Sequence, residues 1–313
     1  MVWVIPDINM VKKYVVKIAR LVPFFIVIAT FPFFFFGGPT SASTKLFGVL
    51  WDSGHVIFFT ALVFSLRKKI NLNNWRIALL ISLIVFVAGG LIEIIQAYIG
   101  RDGNWNDLLR DLMGTWLGLF WAQQPSIWVW CGRIVSFALL LPNLGKILFE
   151  VWFQLYAIQQ FPLLAGFETV TEVRGYRDGC ERSAEFHTQG NYSLKVHLTT
   201  SLYSVVNFDR IMRDWRGFKQ LGVDIYNPDP TALTLTIRIH DELYTSTGWR
   251  NTDRFTRHFI VKPGWNYLVF PINEIQHAPA DRSMDMAKIA RVTIHSTRLA
   301  EPRVIYMDNL RLE

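Results

Sequence analysis

Apolar stretches long enough to cross a membrane, separated by short polar loops, constrain the first half of this chain more than any other feature. Residues 20–160 are almost all apolar, whereas residues 165–313 have the composition of a soluble domain. A helix needs about 20 apolar residues to cross the hydrocarbon core of a bilayer. The sequence therefore predicts an α-helical membrane domain at 20–160 and a separate domain at 165–313.

Four membrane spans are predicted at about 20–36, 46–66, 76–99 and 107–122. Basic residues precede the first span and separate the second from the third, which places both segments in the cytoplasm. Residues 1–19 are accordingly predicted to be a basic cytoplasmic N-terminus, and the loops after the first and third spans to face outward. No small-residue cleavage site follows the first span, so we expect it to be retained.

The segment 127–161 allows two interpretations. Residues 127–141 are apolar, residues 142–146 are typical of a turn, and Glu150 and Gln154 lie four positions apart in the next apolar stretch. The segment is either a fifth span followed by an interfacial amphipathic helix, or two spans, which makes six. Five spans place the C-terminal domain outside the cytoplasm, and six place it inside. The charge distribution favours about five.

The positive charge of the chain lies in its membrane half. The net charge is +7, with 13 Lys and Arg against 7 Asp and Glu in residues 1–160, and 19 against 18 in residues 161–313. Basic residues in a membrane domain mark cytoplasmic loops, so no nucleic-acid partner is predicted. The two cysteines, Cys131 and Cys180, imply no disulfide framework.

Polar residues gather at the ends of the spans that are predicted to face outward. In each of the second, third and fourth spans, two of them lie three or four positions apart and share a helix face. Gly89-Gly90 would allow two helices to approach closely nearby. Ionisable groups in a membrane usually line a cavity and serve a function. The predicted membrane cluster comprises Asp52, His55, Glu93, Gln96, Arg101, Asp107 and Asp111.

Several roles are open to the members of this cluster. In an enzyme, His55 or Glu93 would act as general acid or base, Arg101 would hold an anion, and Asp107 is a further catalytic candidate. As structural alternatives, Asp107 caps the fourth helix, His55 is a buried histidine bonded to Glu93, or Glu93 pairs with Arg101. No metal-ligand spacing is present, so no metal is predicted here.

At these residues the chain resembles the VanZ-like family of membrane proteins, over about residues 20–122. The matching elements read Asp52…His55, Glu93-Ile-Ile-Gln96, Arg101 and Asp107-Leu-Leu-Arg-Asp111-Leu-Met-Gly114. Two features depart from the family pattern: Asp111 stands where Asn is usual, and the Asp52–His55 spacing is one residue tighter. The resemblance implies a role in the bacterial cell envelope, linked to glycopeptide-antibiotic tolerance, and it supplies no reaction.

The C-terminal half alternates apolar and polar residues with a period of two. Tyr192–Leu198, Leu233–Ile239 and Val304–Leu312 are strand candidates, and turn sequences at 227–230 and 262–265 separate such runs. Short strands at this spacing are typical of an all-β sandwich. The fold class predicted for the whole chain is an α-helical membrane bundle followed by an all-β jelly-roll sandwich.

This half resembles the galactose-binding-like, carbohydrate-binding jelly-roll modules. The resemblance rests on Asp214-Trp215-Arg-Gly-Phe218, Asp253-Arg-Phe255, Pro263-Gly-Trp-Asn266 with Val269-Phe-Pro-Ile272, and Tyr306-Met-Asp-Asn-Leu310. It implies saccharide binding and, in some members, a structural calcium, for which Glu168 and Asp308 are the matching positions.

Sugars bind through aromatic rings that stack on their apolar faces and polar groups that bond their hydroxyls. Tyr244, Trp249 and Arg250 lie in or beside a polar loop and are the carbohydrate-binding candidates. Trp249 could equally be structural. Trp215 and Trp265 are predicted to fill the core of the sandwich.

The sequence thus predicts a multi-pass protein of the bacterial inner membrane with an extracytoplasmic sandwich. Its predicted partners are the lipid bilayer and an envelope glycan or lipid-linked saccharide, and no cofactor other than the calcium is implied. Binding is favoured over catalysis because no nucleophile motif, phosphate loop or metal signature is present. The alternative is a membrane enzyme acting on a lipid-linked phosphate or sugar.

Overall fold

The protein is described by a computed structural model, which covers residues 21–34, 38–40, 42–98, 105–176 and 179–313. Within these ranges the chain forms two compact units. The first, the helical unit, contains residues up to Gly38 together with Phe47–Leu148, and the second, the sandwich unit, contains Pro39–Leu46 and Phe149–Glu313. The predicted cytoplasmic segment 1–19 and the candidate Arg101 lie outside the described residues.

The limits of four helices agree closely with the spans predicted at 20–36, 46–66, 76–99 and 107–122, and a fifth helix is longer than predicted. The helices are α1 (Leu21–Phe34, ending in a 3-10 turn), α2 (Lys45–Leu66), α3 (Trp75–Tyr98), α4 (Trp105–Ala122) and α5 (Ile127–Gln160). In the described part of the chain, α2, α3 and α5 are long and apolar enough to cross a membrane. Many of their large apolar side chains are exposed in the protein alone, as on a lipid-facing surface.

The turn predicted at 142–146 is wrong, because α5 continues through it as one helix of 34 residues with Pro142 inside. Apolar residues flank this proline on both sides. In apolar surroundings a loop would leave several backbone groups unpaired, whereas a proline within a helix frees only a few. The continuous helix is therefore favoured despite the turn-like sequence.

The sandwich unit consists of two antiparallel sheets. The strands are β1 (Leu163–Ala165), β2 (Cys180–Ser183), β3 (Ser193–Leu198), β4 (Tyr203–Phe208), β5 (Gln220–Asn227), β6 (Leu233–Asp241), β7 (Phe255–Val261), β8 (Gly264–Pro271), β9 (Ile289–Thr297) and β10 (Arg303–Leu312). One sheet has the order β2-β3-β10-β5-β8, with β1 also paired to β10, and the other has the order β4-β9-β6-β7. Two one-turn helices, α6 (Val170–Arg174) and α7 (Ile272–Gln276), complete the unit. The predicted strands and the β-sandwich class are confirmed.

Alternating residues of the two sheets form one continuous core. In β5, for example, Leu221, Val223 and Ile225 are fully buried in it, as the period of two requires. Trp215 also lies in the core and is fully buried, which confirms its predicted structural role. Trp265 lies outside the core, contrary to the prediction. It is only half-buried, and its ring contacts that of Tyr226.

The last three turns of α5 belong to the sandwich core. Phe153 is 2% exposed and packs among the core side chains of the sandwich. Glu150, which is also buried, accepts hydrogen bonds from the Arg210 guanidinium at 2.7–3.2 Å. The division between the two compact units falls at residues 148–149, inside the helix. Protein contacts anchor one face of these turns, whereas Leu155 and Ile158 on the helix are exposed, and the interfacial helix stays a prediction.

Replacing Phe153 with alanine should destabilise the sandwich unit by about 3–5 kcal/mol, because it leaves a cavity in the core. The readout is the denaturant dependence of thiol labelling at Cys180, which packs partly against that core, in a chain that carries Cys131→Ser. Leu155→Ala is the matched control, since Leu155 lies on the same helix and is exposed. Equal labelling midpoints for the two variants would refute the assignment of α5 to the core.

Candidate functional site

The helical unit contains a buried histidine held by a carboxylate. His55 on α2 places its Nδ1 2.7 Å from Oδ1 of Asp111 on α4, and its Nε2 lies 3.8 Å from Oδ2 of Asp107. His55 and Asp111 are both buried. The carboxylate of Asp111 therefore orients the imidazole ring, so the second ring nitrogen points toward Asp107.

Among the described residues, Arg110 supplies a cation to this cluster, although the sequence did not single it out. Its guanidinium lies 2.7 Å from Oδ2 of Asp52 and also pairs with Asp107 one turn earlier on α4. The spacing of Asp107 and Arg110 was the available signal, because residues three apart on a helix are neighbours. Asp107 lies within the first turn of α4 rather than at its cap, since that helix begins at Trp105.

The third helix contributes the remaining predicted residues of the cluster. Glu93 and Gln96 on α3 are both buried, and Nε2 of Gln96 donates to the backbone oxygen of Phe34 at 2.8 Å. The ring of Phe34 in turn lies 4.8 Å from the imidazole of His55. The structure thus brings residues of α1, α2, α3 and α4 together around His55.

Glycines allow these helices to approach one another. A Cβ at Gly114 would lie 2.6 Å from the backbone oxygen of Val56, and one at Gly89 would lie 2.9 Å from Oδ2 of Asp111. A Cβ at Gly90, by contrast, would meet nothing within 4 Å. Gly89 therefore supports the close approach that was predicted, whereas Gly90 does not, and Gly114 performs the same function for α2 and α4.

An apolar pocket of about 430 Å³ reaches this cluster. His55 forms part of its wall, and aromatic rings form most of the remainder. Chemically, the arrangement can exchange a proton through His55 or hold a polar group beside an apolar chain. Among the described residues no group of three or more metal-binding side chains occurs. The pocket is lined by Thr30, Phe33, Phe34, Phe47, Leu50, Trp51, Gly54 and His55.

In the sandwich unit, the three predicted saccharide-binding residues occupy different environments. Tyr244 is only 3% exposed, and its hydroxyl donates to the backbone oxygen of Trp249 at 3.2 Å, so it supports the loop from beneath. Its burial leaves little of its ring for contact with a ligand, and its role as a carbohydrate-binding candidate stays a prediction. Trp249 is 50% exposed, and Arg250 is exposed as well.

The loop that carries Trp249 is fixed by an ion-pair network. Arg282 donates to Asp241 at 2.5 and 2.8 Å and to Asp253 at 2.7 and 3.1 Å. Burial by itself would raise the pKa of Asp241, but the pairing with Arg282 holds this pKa below its usual value. Trp249 itself has a positive φ of 59°, a left-handed backbone that bulky residues rarely adopt. The exposed indole is therefore presented by an ordered loop.

The outer surface of the four-stranded sheet is the most polar feature beside this loop. In β6, Leu235, Ile237 and Ile239 face the core, so Arg238 and His240 face outward. We call this surface the four-stranded face. Its polar and aromatic side chains include Tyr203, Arg238, His240, Arg254, His258, Arg291 and His295, and Trp249 lies at its rim.

Ring contacts join these side chains across the sheet. The Tyr203 ring lies 5.7 Å both from the His295 ring and from the Arg238 guanidinium. Toward the other edge, Tyr244 packs 4.6 Å from His240 and 5.3 Å from Trp249. Exposed aromatic residues thus lie at both ends of a row of hydrogen-bond donors.

Several donors on this face have no partner. Nε of Arg238, Arg254 and Arg291 and Nδ1 of His295 are buried and make no hydrogen bond within the described part of the chain. His295 is only 2% exposed. Its burial first, and then the charges of Arg238 and Arg254, lower its pKa to about 4. Buried polar groups normally have partners, so a concentration of unpartnered groups on one surface indicates a binding site.

The calcium prediction receives no support from the contacts of its two residues. Asp308 is fully buried, and its Oδ2 accepts from the backbone N–H groups of Thr188 at 2.6 Å and Gln189 at 2.9 Å. Glu168 accepts from the backbone N–H of Asn191 at 3.0 Å. A calcium site needs six or more oxygens turned toward the ion, whereas these oxygens receive hydrogen bonds. The calcium site stays a prediction.

No protein-family model matches the chain, and no curated protein sequence matches it. Solved structures of carbohydrate-binding modules are similar to part of it. One is a family 11 carbohydrate-binding module from Clostridium thermocellum in complex with a β-1,3-1,4-mixed-linked tetrasaccharide. It is 13% identical with a TM-score of 0.33, and the match covers 44% of this chain and 85% of that one.

The solution structure of CtCBM11 is 16% identical with a TM-score of 0.35, and the match covers 48% of this chain and 92% of that one. An exo-beta-agarase is 14% identical with a TM-score of 0.34, and the match covers 44% of this chain and 22% of that one. Similarity at this level does not identify a ligand for this chain.

The low pKa of His295 predicts a loss of stability in acid. The unfolded histidine takes up a proton near pH 6.5, whereas folded His295 does so only near pH 4. The contribution of His295 to the free energy of unfolding is therefore complete above about pH 6.5. It falls as the pH decreases to about 4, by up to about 3 kcal/mol.

The measurement compares the wild type with His295→Gln in the Cys180 labelling assay between pH 7 and pH 4. The variant should show a shallower loss of stability, and His187→Gln, which changes an exposed loop histidine, should retain the wild-type slope. Identical slopes for the wild type and His295→Gln would contradict the assignment.

Proposed function

We propose that this chain is a saccharide-binding protein of the bacterial cell envelope, with its sandwich unit outside the inner membrane. The single observation that carries the proposal is the four-stranded face, where unpartnered buried donors lie between the exposed rings of Tyr203 and Trp249. Sugars need this combination, because their ring faces are apolar and their edges carry hydroxyls. A protein that bound only through apolar packing would not need the donors.

The outward position of the sandwich is supported by two features. The basic residues of the predicted loops follow the positive-inside rule for a first span that runs outward. The uninterrupted α5 leaves no turn at 142–146 for a second crossing. With five spans, the segment 38–45 and the sandwich would lie on the same side of the membrane. Contacts within the sandwich unit agree, because Lys45 lies 3.1 Å from Asp209 and Arg213 donates to the backbone oxygen of Ala42 at 2.8 Å.

The helical unit would then serve the lipid-linked part of the same ligand. Its apolar pocket of about 430 Å³ suits an acyl or prenyl chain, and Arg110 and His55 lie at the polar end of the helices. A VanZ-like role in glycopeptide tolerance is part of this proposal, and it rests on the motif resemblance alone. The ligand class would be an envelope glycan or its lipid-linked precursor.

Replacing Trp249 with alanine should weaken saccharide binding by about tenfold or more, because an exposed aromatic at a binding site contributes well over 1 kcal/mol. The measurement is calorimetric titration of the full chain in nanodiscs with soluble envelope oligosaccharides. Tyr267→Ala is the matched control, since Tyr267 is an exposed aromatic on the six-stranded sheet. A loss of affinity in Tyr267→Ala with none in Trp249→Ala would move the site to the other sheet.

The second candidate function is a membrane enzyme acting on a lipid-linked phosphate or sugar. The geometry of His55 and Asp111 favours it, because a carboxylate 2.7 Å from one ring nitrogen leaves the other available for general acid or base catalysis. Glu93 and Arg101 keep their predicted roles as acid or base and anion holder, and Arg110 is a described cation that could hold the anion instead.

If the chain is such an enzyme, His55→Gln should reduce turnover of a polyprenyl-diphosphate-linked sugar by about 10²- to 10⁴-fold. Release of phosphate or sugar is measured with the full chain in detergent, and Tyr98→Phe, an exposed position on α3, serves as the control. Absence of turnover in the wild type, with Trp249-dependent binding intact, would leave the binding function alone.

A further inference from the structure

Most partly buried arginines elsewhere in the sandwich unit are paired with carboxylates, and Arg182, which lies over the ring of Tyr192, is an exception. Arg210 pairs with Glu150, Arg213 with Glu242 at 2.5 Å, and Arg282 with Asp241 and Asp253. Partly buried guanidinium groups require such partners, because an unpaired charge loses its hydration without compensation.

Two cations of the four-stranded face depart from this pattern. Arg254 donates only to neutral acceptors, the hydroxyl of Tyr244 at 2.8 Å and Oδ1 of Asn251 at 2.5 Å. The guanidinium of Arg238 lies beside the ring of Tyr203, and Arg254 is the charged group that acts on it most strongly. In the portion of the chain that the structure describes, neither arginine forms an ion pair with a carboxylate.

A third cation of this face is only weakly compensated. The Nη2 of Arg291 lies 3.6 Å from Asp209, but the same carboxylate also lies 3.1 Å from Lys45 and 3.8 Å from Arg210. One negative charge is thus shared among three positive ones. The described side chains leave the four-stranded face with an excess of positive charge.

His295 is a further group of this face whose environment is positively charged. It lies directly opposite Thr236 in the sheet, and its Nδ1 is buried without a partner. Burial lowers the pKa of His295 most, and the neighbouring arginines disfavour its protonated form further. An anion bound near these arginines would relieve their mutual repulsion and satisfy their free N–H groups.

We infer that the ligand of the four-stranded face is an anionic saccharide, whose carboxylate or phosphate is bound by Arg238 and Arg254 while a sugar ring stacks on Trp249. This inference rests on the proposed saccharide-binding function and names its ligand class. A neutral saccharide could use the aromatic rings, but it would leave two partly buried guanidinium charges uncompensated. Guanidinium groups bind carboxylate and phosphate oxygens through paired hydrogen bonds, which supplies the specificity.

The experiment titrates the full chain with three tetrasaccharide probes. The chain is held in nanodiscs whose lipids carry no net charge. The probes are tetragalacturonic acid, the same tetramer with its carboxyl groups reduced to alcohols, and that reduced tetramer carrying one phosphate ester. The acidic probe, the phosphorylated probe or both should bind about 10- to 100-fold more tightly than the neutral one. The stronger of the two identifies the anionic group.

Arg238→Gln should abolish most of this difference, because it should weaken binding of the anionic probe far more than binding of the neutral one. Arg216→Gln is the matched control, because Arg216 is exposed and pairs with Asp214. If the variant does not fold, the salt dependence of binding by the wild type tests the same inference. Binding of the anionic probe should weaken steeply as salt is raised from 0.05 to 0.5 M, whereas binding of the neutral probe should not.

The outcomes separate the inference from the proposed function. If all three probes bind equally and binding requires Trp249, the ligand is not selected by charge, and the inference fails while the proposed function stands. If no probe binds at any salt concentration, the proposed function fails for this face, and the inference fails with it. Selective, salt-sensitive binding of an anionic probe that requires Arg238 supports both.

Discussion

Burying a charged group away from water costs several kcal/mol unless the group is paired, and this cost organises both units of the protein. In the helical unit, the ionisable side chains of α2 and α4 pair across the helices, His55 with Asp111 and Arg110 with Asp52. In the sandwich unit, Glu150 and Arg210 fix the last turns of α5 to the core. The four-stranded face is where several buried donors stay unpartnered, and that exception is what makes it a candidate binding surface.

The pairing in the helical unit depends on close packing. A methyl group at Gly114 would collide with the backbone of α2, and one at Gly89 would collide with the carboxylate of Asp111. Without these glycines the helices would stand further apart, and the 2.7 Å contact between His55 and Asp111 would be lost. The glycines thus convert residues that are far apart in sequence into one cluster. The same contacts leave an aromatic pocket beside His55 that the sequence alone does not reveal.

Short-range patterns in the sequence predicted several elements of the structure correctly. The span limits of α2 and α3, the strands β3, β6 and β10, and the buried Trp215 follow from periodicity and composition, because both reflect which side chains avoid water. The errors came from residues whose surroundings decide their role. Pro142 lies inside a helix and Trp265 lies outside the core. In each case the local sequence permits two environments, and packing selects one.

The sequence by itself determined that apolar helices precede a β-sandwich, and that polar residues recur at helix positions sharing a face. Both properties depend on spacing along the chain, which the sequence states directly. Only the tertiary structure decided that Arg110 is the cation beside Asp52, and that α5 ends inside the sandwich core. It also brought Arg238 and His295 together, because strands β6 and β9 pair although more than 40 residues separate them along the chain. Partners distant in sequence are chosen by sheet register and helix packing, and these depend on every side chain at the contact.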